Sequence, residues 1–196
     1  MTGEPIFCIA DERRVLGRTL GRAAGLIAGD DQTPVNGERI HGTRTGGERA
    51  IVSKCTEKPH KKIQNLKSII ITEIELYYLK FKNETCSFIK RWPSKYDLNA
   101  WHVILKKQGH QNPHIHPNGW LSGVIYLKVV PSFKKNEGAI EFSLNGEQYY
   151  DAKSPKVVHL PKAGDIILFP SSLHHRTIPF SADTDRISIA FDLVPN

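Results

Sequence analysis

Residues 112–120, with the sequence NPHIHPNGW, carry the pattern from which the rest of this chain is interpreted. His114 and His116 are two positions apart, and residues i and i+2 of an extended chain point to the same side. Loop-forming residues surround the pair, and an apolar segment, 121–130, follows it. Two imidazoles that converge in this way could bind a metal, because neutral imidazole suits iron, zinc, copper and nickel. The pair alone does not define a site, so a third ligand has to be sought elsewhere.

The composition is that of an ordinary globular protein of 196 residues, a length that predicts one domain. Three widely spaced cysteines, Cys8, Cys55 and Cys86, indicate reduced thiols and predict a cytoplasmic location. We expect no transmembrane helix and no signal peptide, because no apolar run is long enough and the N-terminus lacks the required pattern. The net charge of +7 comes from scattered Lys and Arg, which argues against nucleic-acid binding. The scattered charges are interpreted as a solvated surface, and the alternative is that they attract an anionic substrate.

Two parts can be distinguished along the chain, an N-terminal extension at 1–60 and a core at 61–196. In the extension, residues 11–28 have helical spacing and residues 37–47 predict a loop or an irregular strand. Apolar residues three or four positions apart predict an amphipathic helix over 63–81. From Trp101 the pattern becomes that of short strands. We predict them at 101–107, 121–130, 138–143, 156–160, 165–169, 174–178 and 186–194. Such strands are typical of a sandwich, a jelly roll or a barrel.

The last predicted strand, 186–194, has two different faces. Its polar face carries Arg186, Ser188, Ala190 and Asp192, and the residues between them are apolar. Ordinary alternation places the apolar face inward and Arg186 in water, and the pattern alone favours this arrangement. The alternative is that the apolar face covers the helix at 63–81 while the polar face lines a ligand cavity.

A candidate for the third ligand follows the apolar segment 165–169. His174 and His175 are consecutive, so only one of them can point toward the first pair. Three protein ligands would leave positions on the metal open for substrate and oxygen. The other histidines are interpreted as surface or structural residues, and these are His41, His60, His102, His110 and His159.

Four motifs, in order from about Trp101 to Pro195, resemble the Fe(II)- and 2-oxoglutarate-dependent oxygenases, in particular a family with a prolyl-hydroxylase-like core. They are HIHPNGWLSGVIYL at 114–127, EGAIEF at 137–142, PKAGDIILFPS at 161–171 with His175 after it, and RISIAFD at 186–192. The resemblance covers about half of the chain. It implies a mainly β fold, namely a double-stranded β-helix or jelly roll with N-terminal helices packed on one face.

The resemblance also implies an activity and its cofactors. The chain is expected to be a dioxygenase that uses Fe(II), O2 and 2-oxoglutarate to hydroxylate a small-molecule or peptide substrate. Arg186, eleven residues after His175, matches the arginine with which the family binds the far carboxylate of 2-oxoglutarate, so the resemblance implies this role for it. Ser188 and Tyr126 match positions that join this contact. This assignment reverses the interpretation of the last strand and turns Arg186 inward. The sequence leaves the oligomeric state open.

The resemblance implies a metal centre at His114, His116 and His175, with one departure from the usual pattern. The family normally has an aspartate or glutamate where this chain has His116. Three interpretations follow. The favoured one is a working three-histidine iron centre. In the second, His116 lies outside the first ligand shell and water or another residue completes the site. In the third, the metal is lost and the pocket only binds.

Two other classes of protein are compatible with parts of the pattern. Gly164, Pro170 and His175 also resemble the second cupin motif, and the His114 pair resembles the first. The glutamate that a cupin should carry after the pair is absent from 117–121, and a cupin gives no role to Arg186. The remaining alternative is a non-catalytic binding module that keeps the jelly roll without a metal.

Overall fold

The computed structural model describes three short N-terminal strands together with residues 61–146, 149 and 153–196. The strands of the N-terminal part are β1 (Leu16–Thr19), β2 (Thr45–Gly46) and β3 (Ile51–Lys54). Two helices follow, α1 (Lys61–Phe81) and α2 (Ser87–Lys90). The remaining strands are β4 (Tyr96–Leu105), β5 (His110–His114), β6 (Leu121–Lys128), β7 (Ile140–Ser143), β8 (Lys156–His159), β9 (Asp165–Pro170), β10 (His174–Thr177) and β11 (Arg186–Pro195).

The strands of the described residues form two antiparallel sheets. The larger has the order β1-β9-β6-β11-β4-β3, and the smaller has the order β2-β5-β10-β7-β8. Buried side chains from β6 and β9 of the larger sheet pack together with those from β7 of the smaller sheet, and these include Tyr126, Phe142 and Phe169. The inner layer of the fold therefore lies between the sheets. The predicted mainly β, jelly-roll class is confirmed.

The outer face of the larger sheet is covered by α1. Ile70, Ile74 and Tyr77 of the helix are buried in one cluster with Phe191 and Leu193 of β11. The predicted amphipathic helix at 63–81 is thus present, beginning two residues earlier at Lys61. Because neighbouring residues of a strand point to opposite faces, the packing of Phe191 and Leu193 on α1 turns the polar face of β11 toward the other sheet.

The strands predicted from Trp101 onward are all present with shifted ends, and one strand in that part, β5, was missed. In the N-terminal part, β3 (Ile51–Lys54) was also missed. The strand predicted at 101–107 runs from Tyr96 to Leu105. β5 contains Asn112 and Pro113, which are typical of a loop. It forms because it pairs with β10 on one side and β2 on the other. Its pairing with β10 is irregular between His175 and Thr177, and this irregularity accommodates a proline, which has no backbone N–H.

The N-terminal predictions are tested only in part. The helix predicted at 11–28 is wrong for Leu16–Thr19, which pair with β9 as a strand, and its other residues lie outside the described ones. Thr45–Gly46 form a strand within the segment 37–47. The division of the chain at residue 60 and the cytoplasmic location stay predictions. Neither helix in the described part of the chain is both long and apolar enough to cross a membrane.

Gly123 of β6 lies close against the side chains of Phe191 and Leu168, on the face of the larger sheet that α1 covers. A Cβ atom at this position would collide with the ring of Phe191 and lie 2.8 Å from Cδ2 of Leu168. We expect Gly123→Ala to lower the free energy of unfolding by about 1–3 kcal/mol, the usual cost of overpacking. Urea denaturation measures this, with Leu79→Ala on the exposed side of α1 as a control that should change stability by less than about 0.5 kcal/mol. Equal stabilities for both variants would contradict the packing.

Candidate metal centre and cofactor pocket

Three histidines from β5, β10 and the loop after β5 surround one point. His114 ends β5, and His175 lies directly across from it on β10, so their ring centroids are 4.3 Å apart. His116 follows in the loop, with its ring centroid 5.4 Å from that of His114 and 5.0 Å from that of His175. One nitrogen of each ring lies within 4.8 Å of the others. The fold therefore brings the three predicted ligands together, in an arrangement that could hold a metal ion.

Hydrogen bonds fix the orientation of each ring. The Nδ1 atoms of His114 and His175 each donate to the backbone carbonyl two residues earlier, at 2.7 and 3.0 Å. Nδ1 of His116 donates to a carboxylate oxygen of Asp192 at 2.6 Å. A carbonyl or carboxylate oxygen only accepts, so every Nδ1 must carry the proton. In the neutral form of such a ring Nε2 carries a free lone pair, as a metal ligand requires.

Burial keeps two of these rings in the neutral form that binds metals. The pKa of His175 is well below its usual value, mainly because the side chain is buried and also because His114 and His116 lie beside it. Burial likewise lowers the pKa of His114, with the hydrogen bond to the carbonyl of Asn112 opposing the shift. Both rings are therefore neutral at physiological pH.

These lowered values predict how the stability of the metal-free protein depends on pH. Below pH 6.5, the ordinary histidine pKa, the unfolded chain takes up protons that folded His114 and His175 do not. The unfolded state then binds more protons, so stability falls as the pH falls. We expect the urea midpoint to drop between about pH 7 and about pH 5, and to drop less in His175→Gln. A midpoint with the same pH dependence in both proteins would contradict this assignment.

A buried guanidinium lies in the same cavity. Arg186, at the start of β11, is 2% exposed and has no carboxylate partner among the described residues. Its carbon Cζ stands 4.8 Å from the centre of the Tyr126 ring, and its Nε has no hydrogen-bond partner in the part of the chain that the structure describes. Burial lowers the pKa of Arg186, with Tyr126 opposing the shift. Burying an unpaired charge is costly, so the arrangement fits an anionic ligand.

Two further predicted residues complete this end of the cavity. Ser188 is buried on the same face of β11 as Arg186 and lies opposite Tyr126 in the neighbouring strand. Among the described residues the buried hydroxyl of Tyr126 has no hydrogen-bond partner, and burial raises its pKa to about 12. The hydroxyl therefore stays protonated and can donate to an anion.

All six predicted site residues line one cavity of about 420 Å³ between the sheets. The polar face of β11 forms one wall of this cavity, which is lined by Arg186, Ser188 and Asp192. The arrangement that the pattern alone favoured, with Arg186 in water, is wrong. The apolar face of β11 is covered by α1, which leaves its polar face for the cavity.

Asp192 is a residue of the site to which the sequence analysis gave no role. Its Oδ1 accepts hydrogen bonds from Nδ1 of His116 at 2.6 Å and from Oγ of Ser122 at 2.7 Å. Oγ of Ser122 lies 2.8 Å from Oγ of Ser171. The available signal was the period of β11, since Asp192 shares the face of Arg186. Its partner His116, in the loop after β5, could not be identified from that period.

Comparisons with known proteins agree on the class. Residues 99–192 match the family described as "Putative 2OG-Fe(II) oxygenase". No protein of curated function matches the chain. Among solved structures, an oxidoreductase of the 2OG-Fe(II) oxygenase family from Burkholderia pseudomallei has a TM-score of 0.57 at 14% identity, over 93% of this chain and 86% of that one.

Two prolyl hydroxylases have the same fold. The collagen prolyl hydroxylase of Paramecium bursaria Chlorella virus-1, solved as a 2OG complex, has a TM-score of 0.53 at 13% identity, over 75% of this chain and 80% of that one. A prolyl-4-hydroxylase from Pseudomonas putida has a TM-score of 0.51 at 14% identity, over 76% and 73%. These identities establish the fold alone.

The family match and the shared fold together define the class of protein. The chain belongs to the Fe(II)- and 2-oxoglutarate-dependent oxygenase superfamily, as the resemblance predicted. It is an enzyme of the 2-oxoglutarate-dependent oxygenase class. Fe(II) and 2-oxoglutarate are the cofactor and co-substrate that this family implies.

Proposed function

We propose that this chain is a dioxygenase that binds Fe(II) through His114, His116 and His175 and hydroxylates a small-molecule or peptide substrate. Arg186 would bind the co-substrate, 2-oxoglutarate. The observation that carries the proposal is one cavity that combines three converging imidazoles with a buried guanidinium. Three imidazoles alone could bind several metals, and a buried guanidinium alone could bind many anions. Their combination in one cavity fits a 2-oxo acid bound beside a metal.

The three imidazoles would hold the metal through Nε2. Their Nδ1 protons are committed to the carbonyls of Asn112 and Leu173 and to Asp192, so the lone pairs do not have to be freed before the metal binds. Asp192 holds the ring of His116 in place. The centroid of this ring is 5.4 and 5.0 Å from those of His114 and His175, which are themselves 4.3 Å apart. This supports His116 as a ligand over the interpretation that places it outside the first ligand shell.

Bound Fe(II) would supply the oxidative chemistry of the class. In that reaction one atom of O2 enters the succinate that forms from 2-oxoglutarate with loss of carbon dioxide, and the other atom enters the hydroxyl group formed at a C–H bond. Arg186 would receive the far carboxylate, since the guanidinium offers a planar fork of donors to a carboxylate. Ser188 and Tyr126 would each donate a hydrogen bond to the same group. These contacts would turn the 2-oxo acid end of the molecule toward the three histidines.

Apolar side chains would exclude water from the reacting groups. Trp101 lies with its ring centroid 5.5 Å from that of His116, and Val103, Val124 and Ile140 line the same cavity. A dry cavity strengthens the interaction between Arg186 and a carboxylate, because it lowers the local dielectric constant.

Succinate formation tests this function directly. The metal-free protein would be loaded with Fe(II) without oxygen, mixed with 2-oxoglutarate, and then exposed to air, with and without candidate peptides and small molecules. We expect succinate in amounts that depend on Fe(II), and more of it with a true substrate. Protein loaded with Zn(II) is the control and should form none. The absence of succinate under all conditions, including turnover without substrate, would contradict the proposal.

A further inference from the structure

Asp192 is a largely buried carboxylate that contacts the proposed ligand His116. Its side chain is 13% exposed, and among the described residues its ion-pair partner is His116. A carboxylate largely withdrawn from water is costly unless a positive charge or several donors compensate it. Here the compensation comes from Nδ1 of His116 and from the hydroxyl of Ser122.

The surroundings of Asp192 hold it in place. Ser122 bridges Asp192 and Ser171, and the backbone N–H of His116 donates to the carbonyl of Ser171 at 3.0 Å. Gly119 permits this arrangement, because a Cβ there would lie 2.5 Å from Oγ of Ser171 and 3.3 Å from Cγ of Asp192. The loop that carries His116 is therefore fitted against the carboxylate.

The charge balance of a three-histidine metal centre suggests a role for Asp192. Three neutral imidazoles leave a divalent cation with its full charge, whereas a carboxylate ligand at the position of His116 would remove one unit. The carboxylate of Asp192, on the Nδ1 side of the His116 ring, would restore that unit if the ring held the metal through Nε2. A carboxylate bonded to the N–H of a metal-binding histidine also makes the ring a stronger donor.

We propose that Asp192 supplies, through the Nδ1–H of His116, the negative charge that a carboxylate ligand supplies in the usual triad, and that it thereby strengthens metal binding. Asp192 is a positioning residue in this arrangement and does not touch the metal. The inference rests on the proposed function, because it assigns a role within the metal centre.

The test is a Co(II) titration of the metal-free wild type and of Asp192→Asn, followed by visible absorption. The amide oxygen of asparagine can still accept from Nδ1 of His116, so the substitution removes the charge and preserves the geometry. We expect Asp192→Asn to bind Co(II) about 10- to 100-fold more weakly, the usual effect of removing such a partner. The Co(II) bands should also shift, because His116 becomes a weaker donor.

Glu141→Gln is the matched control. Glu141 is a buried carboxylate on β7, where it binds Arg176, and it lies on the opposite face of the strand from Phe142, which packs near His175. Its substitution removes one negative charge from the outer side of the smaller sheet, which carries His114 and His175. We expect Co(II) affinity to stay within about twofold of the wild type, since effects on metal affinity of tenfold or more come from direct partners of the ligands.

The possible outcomes separate this inference from the proposed function. A wild type that binds no Co(II) would overturn the function and the inference together. Asp192→Asn with wild-type affinity and spectrum would overturn the inference alone, as would a Co(II) crystal structure with Asp192 bound to the metal. If Asp192→Asn does not fold, Ser122→Ala provides a second test. It leaves the carboxylate to His116 alone, so affinity should be unchanged or higher, and a tenfold loss would contradict the inference.

Discussion

Replacing Arg186 by methionine is expected to weaken 2-oxoglutarate binding by at least about 30-fold without lowering the stability of the ligand-free protein. The guanidinium is buried, and no carboxylate among the described residues compensates it. Loss of a buried partner of a charged ligand costs roughly 2–5 kcal/mol, or about 30-fold to a few thousand-fold in affinity. Methionine fills similar space without charge, so the free protein should gain or keep stability. Calorimetric titration with 2-oxoglutarate in the presence of Mn(II) and urea denaturation measure the two effects.

Arg176→Met is the matched control for this prediction. Arg176 donates to Glu141 through two nitrogens, at 2.7 and 3.2 Å, on the outer side of β10. Its loss leaves a buried carboxylate unpaired, so we expect lower stability and unchanged affinity for 2-oxoglutarate. If Arg186→Met instead loses stability as Arg176→Met does and keeps its affinity, the role of Arg186 is structural and the cofactor pocket is assigned wrongly.

His175→Gln is expected to remove metal binding, whereas His174→Gln is expected to leave it intact. His175 is buried beside the other two rings, and its neighbour points to the opposite side of β10. Losing a ligand should weaken Co(II) binding by more than about 100-fold, since even the loss of a partner of a ligand costs up to that amount. The two substitutions are chemically identical and one residue apart, so a general effect on folding would appear in both.

The pair of variants is compared by Co(II) titration and by circular dichroism of the metal-free proteins. Equal Co(II) affinities would show that His175 is not a ligand. Loss of binding in His174→Gln with binding retained in His175→Gln would mean that the other consecutive histidine faces the metal. Either result would contradict the arrangement of the three rings.

The local features of the site could be predicted from periodicity. The two-residue spacing of His114 and His116 predicts that their side chains point to the same side. The apolar stripe at 63–81 predicts α1. The face of β11 that points inward could not be decided in this way, because both faces are compatible with a strand. Burial of Phe191 and Leu193 under α1 decides it, and this contact joins residues more than a hundred positions apart.

Other parts of the structure depend on pairing that periodicity does not encode. β5 contains Asn112 and Pro113, whose local preference is for a loop, and it becomes a strand because β10 and β2 lie on either side. Leu16–Thr19 have helical spacing and form an edge strand on β9. The contact between Asp192 and His116 likewise depends on how the loop after β5 meets β11, which is a tertiary feature.

A crystal structure with Mn(II) and 2-oxoglutarate, grown without oxygen, tests the central claim most directly. We expect Mn(II) bound to one nitrogen each of His114, His116 and His175. We also expect that the far carboxylate of 2-oxoglutarate lies on Arg186, with Asp192 still bonded to Nδ1 of His116. Mn(II) with His116 turned away from it, or 2-oxoglutarate bound apart from Arg186, would contradict the account.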